Sequence, residues 1–180
     1  MAATGLFAHM VDMRSDLSRM EKEHRVDSSF LKKINLVISE FGKLETYWVI
    51  QKDVALRTAF IIYTALRNAR LVLERMRKRF EESTGKNENP KIVEDSAMVM
   101  PLIFEIYQKS KRATEEKRNL DPFMPNEMLK LLSTLRITAK ATGLLPQTQD
   151  EMRGIDRERF RQSAVNLDKK LVAFNFVECT

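Results

Sequence analysis

Between Asp53 and Glu82 the chain places Ala55, Ala59, Ile62, Leu66, Ala69, Leu73, Met76 and Phe80 at alternating steps of four and three. That spacing is the apolar seam of a helix sustained over several heptads. Neither Gly nor Pro interrupts the stretch, and Asp53 offers the side-chain oxygen that an N-cap needs. Phe60, Ile61, Leu71 and Val72 add apolar surface off the seam, which predicts a helix buried on more than one side. This helix, over residues 54–82, is the expected centre of the core.

Helical spacing recurs along the rest of the chain. Residues 4–24 form a first helix, with Leu6, Phe7, Met10, Val11, Leu17 and Met20 on one face. Its methionines read as core filler before they read as an adaptable docking surface. Asp27, Ser28 and Ser29 cap a second helix over 30–51, carrying Phe30, Ile34, Val37, Ile38, Phe41, Leu44 and Trp48, with Gly42 as its weak point. Trp48 reads as a core residue. The central helix stops near Gly85, and GKNENPK supplies a loop, a possible hinge over 84–90. A fourth helical region covers 91–118, where Pro101 predicts a break or kink after a short piece from Ile92 to Val99. A fifth covers 126–142, ended by Gly143 and Pro146. Thr148 to Glu151 matches a capping box, and a sixth helix over 157–174 keeps Phe160, Ala164, Leu167, Leu171 and Phe174 in line. The fold class is all-α: a single helical domain over 1–180, a bundle of about six helices built around the long central one.

Composition fits that picture. Apolar residues at 43% and charged residues at 31% are ordinary globular values, and five Gly with five Pro suit a helical chain. The start of the chain lacks a basic segment followed by an apolar core, and no run is long enough to span a bilayer. These features predict an intracellular location, cytoplasmic or nuclear. The one cysteine, Cys179, excludes an intramolecular disulfide and a thiolate cluster.

Catalytic chemistry finds no support in the residue types. The two histidines, His9 and His24, lie on one helix. Glu21 and His24 match half of a di-iron ligand set, but the matching pair from a second helix is missing. No Gly-rich phosphate loop or dinucleotide fingerprint occurs. Glu81-Glu82 and Glu115-Glu116 sit among lysines and arginines, as salt-bridged helix faces do. The expectation is no enzyme, no metal and no cofactor.

Basic clusters remain. They lie at Arg67, Arg70, Arg75, Arg77, Lys78 and Arg79 on the central helix, and at Lys109, Lys111, Arg112, Lys117 and Arg118 on the fourth. A third comprises Arg153, Arg157, Arg159 and Arg161. With a net charge of +6, convergence of these helix ends would make a surface for an anionic polymer, RNA before DNA. The expected contacts are Arg67, Arg70, Arg75, Arg77, Lys78 and Arg79, then Arg157 and Arg161. The alternative is a protein–protein adaptor or accessory subunit, through a protein partner or self-association. It is motivated by the Ala-rich seam and the Met-rich first helix.

Overall fold

The computed structural model describes residues 2–23, 25–51, 54–83, 91–116 and 119–145, with side chains from residue 5 onward. Among them are five helices: α1 (Ala2–Glu23), α2 (Ser28–Val49), α3 (Leu56–Ser83), α4 (Lys91–Glu115) and α5 (Met124–Ala141). The described residues contain no strand, and the chain is an all-α bundle. The sixth helix expected at 157–174, the hinge expected at 84–90 and the Asp53 cap all lie outside the described residues.

The heptad seam forms the middle of the core. Ala59, Ile62, Leu66, Ala69, Leu73, Met76 and Phe80 are fully buried, and every residue from Ile61 to Ala69 is buried. Two and a half turns of helix with no solvent face require neighbours on several sides, and α3 packs against α2, α4 and α5. Trp48 and the methionines Met10, Met13 and Met20 are core residues as well.

Side-chain pairs fix the helix directions. Asp16 of α1 meets Lys33 of α2, Arg77 of α3 reaches back to Asn35, and Arg79 meets Asp95 of α4. Phe7 stacks obliquely on Phe104, 5.3 Å between centroids, so α4 also runs antiparallel to α1. The first four helices form an up-and-down bundle. α5 lies in the groove between α3 and α4, antiparallel to α4 through Lys109–Glu127 and parallel to α3 through Arg136–Asn68.

Local signals set several boundaries. The Asp27 carboxylate accepts the Ser29 N–H at 3.0 Å, capping α2. Gly143 has φ +71°, and the N–H groups of Gly143 and Leu144 donate to the carbonyls of Lys140 and Ala139. This paired arrangement with a left-handed glycine ends α5, and Leu144 is then buried over the last turn. Of the break or kink expected at Pro101, the break is corrected: α4 continues through it as one helix. Pro101 and Ala97 are both on the exposed side, so the carbonyl freed by the missing N–H faces solvent rather than core.

Candidate interaction surfaces

The central arginines point in two different directions. Arg67 and Arg70 turn towards α2, where Glu45 stands in its apolar face between Phe41, Leu44 and Trp48. Arg70 donates to both Glu45 oxygens, through Nε and through Nη2 at 3.1 Å, and to Glu74 at 3.1 Å. Arg67 is buried, with Nη1 4.0 Å from Glu45. Burial disfavours the Arg70 charge, but hydrogen bonding and attraction from Glu45, then Glu74, outweigh it and raise its pKa. Arg79 ties three helices together, donating to Asp95 of α4 and to the Thr142 carbonyl behind α5, both at 2.9 Å. These three side chains are clamps between helices.

Arg77 is intermediate, donating to Asn35 at 3.0 Å. Arg75 and Lys78 are exposed. Arg157 and Arg161 lie outside the described residues, as do Lys117, Arg118, Arg153 and Arg159. The cluster on α4 sits apart from that on α3, because the two helices are antiparallel and their C-terminal ends face opposite ends of the bundle. Asp95 marks the level of Arg79, and Lys109 is fourteen residues further along α4. At 1.5 Å per residue that is about 21 Å, beyond the roughly 8 Å over which exposed charges act at physiological salt. The α3 and α4 clusters therefore make two small patches. Acidic Glu81, Glu82, Glu94, Glu115 and Glu116 are exposed around the same helix ends.

The buried acids were a signal that charge counting passed over. Asp16, Glu45 and Asp95 all fall on apolar faces of their helices. A carboxylate there requires a cation from a neighbouring element. Lys33, Arg70 and Arg79 supply it.

Two open grooves lie between helices. One, of about 340 Å³, runs between α1 and α4 and is lined by Arg14, Ser15, Leu17, Ser18, Glu21, Ala97 and Pro101. Phe7 and Val11, about two turns and one turn before Arg14 on α1, and Met98, next to Ala97 in sequence, are exposed apolar side chains outside that lining. The second, of about 490 Å³, lies between α2 and α3, lined by Gly42, Glu45, Thr46, Val49, Ile50, Tyr63 and Arg70. Neither brings together a nucleophile, a base and an oxyanion site of the kind acyl-transfer catalysis needs. Among the described residues no three His, Cys, Asp or Glu side chains form a metal-binding group. No described helix is long and apolar enough to cross a membrane.

No protein-family model, curated protein or solved structure matches this chain.

Proposed function

We propose that the chain is a non-enzymatic protein-interaction module that receives an apolar helix of a partner protein in the groove between α1 and α4. The observation that carries the reading is the chemistry of that groove. Phe7, Val11 and Met98 leave apolar surface in water beside it, at a cost of about 25 cal/mol for each Å² not buried. Pro101 has no N–H to give, so the Ala97 carbonyl beside it keeps an acceptor unused by the helix. A groove of mixed polar and apolar lining flanked by exposed apolar side chains suits an amphipathic helix, in the helix-in-groove manner, with the Ala97 carbonyl as an acceptor for one of its donors. Arg14 and Glu21 stand at the rim, where opposite charges fix register more than affinity.

The test is the mass of complexes formed by the full chain in its native cells, for wild type, Val11→Glu and Met98→Glu. Both positions are exposed, so the variants should keep the wild-type melting temperature while losing a stoichiometric partner. A partner retained by both variants, or a wild-type chain that carries none, refutes the reading.

A second reading has its own observation: Arg75 and Lys78 are exposed on a chain of net charge +6. They would contact RNA or another anionic polymer, with Arg77 at the edge. This reading ranks second because Arg67, Arg70 and Arg79 are held by Glu45 and Asp95. A salt titration of RNA binding decides it.

A further inference from the structure

One stripe of α3 is buried although no described helix lies over it. Phe60, Thr64, Arg67 and Leu71 follow one another at steps of four, three and four, which aligns them along the helix. Phe60 is 2%, Thr64 1% and Arg67 8% exposed, and Leu71 is half-buried. Arg67 sits at the α2 edge of the stripe, near Glu45. α2 meets α3 at Arg70, through Glu45, and α5 meets it at Asn68, through Arg136. Those two α3 residues point about 200° apart round the helix, so α2 and α5 stand on opposite sides of α3. The apolar seam through Ile62, Leu66 and Leu73 fills one interval between them, closed by α4 and, beyond it, α1. The stripe faces the other interval. On it the Thr64 hydroxyl is buried and makes no hydrogen bond among the described residues.

We infer that residues 157–174 of this same chain cover the stripe, lying in the α2–α5 interval as a helix antiparallel to α3. The exposures above belong to one chain on its own, so the cover is part of that chain. Outside the described residues, 52–53 and 117–118 are too short to span the stripe from Phe60 to Leu71, about 17 Å. The stretch 84–90 leads from Ser83 into α4, and Ser83 is about 35 Å along the helix from Phe60. Residues 146–180 remain, and they start in the right place. Leu145 follows closely on Thr142, whose carbonyl accepts from Arg79 at 2.9 Å near the C-terminal end of α3. The stretch 146–156 can extend about 36 Å, well beyond the width of a helix, about 10 Å, so it reaches the interval from there. Entering at that end, the segment runs antiparallel to α3. Its sequence supplies an apolar face of sufficient length: Phe160, Ala164, Leu167, Leu171 and Phe174 extend about 21 Å as a helix. Bound there, the segment closes the bundle over Arg67 and leaves the α1–α4 groove open to a partner.

Two measurements on the full chain test this. In hydrogen exchange, the amides of 157–174 in wild type should exchange at least about tenfold more slowly than an unstructured peptide; exchange at the unstructured rate overturns the inference. The second measurement reads the stripe itself. Thr64→Cys, made together with Cys179→Ser to remove the one native thiol, should be labelled slowly by a thiol reagent. Adding Leu167→Glu and Leu171→Glu should speed the labelling about tenfold or more, whereas Lys169→Glu, off the seam, should not. The milder Leu167→Ala should move the rate in the same direction, so a double variant whose melting curve shows no folded state does not end the test. Fast labelling before any change to the segment overturns the inference, and so does a rate indifferent to the leucine substitutions. Slow labelling that quickens on dilution assigns the cover to a second copy and overturns it as well. Val11 and Met98 are untouched by these substitutions, so this inference and the partner reading fail separately.

Discussion

Glu45→Ala removes one carboxylate and leaves two guanidinium groups facing its place. The side chains of Glu45, Arg67 and Arg70 are only 7%, 9% and 17% exposed. An exposed pair of this composition is worth about 0–1 kcal/mol. Deleting one partner of a buried pair costs about 3–5 kcal/mol, because the remaining charge stays desolvated. Arg70 keeps Glu74, whose side chain is 34% exposed, which spares part of the penalty. The lower end follows: a loss of about 3 kcal/mol. Urea denaturation should show a midpoint lower by about 1.5 M at a slope of about 2 kcal/mol/M. Melting should fall by about 6–12 °C for a chain of this size. Replacing Glu45, Arg67 and Arg70 together by Met should recover most of the loss, since no unpaired charge then remains in the core. A change below about 1 kcal/mol in Glu45→Ala would show that the cluster behaves as a surface network. A triple variant no more stable than Glu45→Ala would assign the loss to packing instead of charge.

Gly143→Ala should destabilise by about 1–2 kcal/mol, because φ is +71° there and a Cβ meets the following carbonyl; chemical denaturation reads it. Pro101→Ala should stabilise the protein by up to about 3 kcal/mol, yet weaken partner binding, since the Ala97 carbonyl then takes its own helical N–H. Asp27 is held below its ordinary value of 3.8 chiefly by the Ser29 backbone N–H, against burial, with the Ser29 hydroxyl, Arg19 and Arg25 assisting. A lowered folded pKa gives stability that is fully present above pH 3.8 and lost as pH falls through the folded value. Asp27→Asn should therefore flatten the acid limb of a stability–pH curve and leave its neutral value nearly unchanged. For RNA, two contacts from Arg75 and Lys78 predict only about a sevenfold loss of affinity between about 50 and about 200 mM salt. Six contacts on α3 would give about 300-fold; a loss of that size would reinstate the full arginine set.

The fold was legible because each core decision is made locally and repeatedly. A seam of seven buried residues on α3 cannot be rearranged by one neighbour. Asp27 and Gly143 mark helix ends through bonds that close within a few residues. Pro101 misled because the cost of a proline depends on where the freed carbonyl points, which one helix alone does not fix. The destinations of Arg67, Arg70 and Arg79 were illegible for the same reason. The acids that hold them from other helices lie 16 to 25 residues away, and pairing distance is a property of how helices cross.

What decides between an anionic polymer and a protein partner is thus the position of acids, not the number of bases. A carboxylate on a solvated face leaves nearby arginines free to exchange with phosphate. One placed on an apolar face holds them, because releasing its cation would strand a buried charge. Glu45 and Asp95 are of the second kind, and both draw from the α3 cluster. Apolar side chains are exposed as well, among them Val11 and Met98 near the α1–α4 groove, Leu36 and Ile50 on α2, and Phe123 and Ile137 at α5. Arg67, Arg70 and Arg79 are thus internal fastenings, which leaves the α1–α4 groove as the surface on which the proposed partner contact rests.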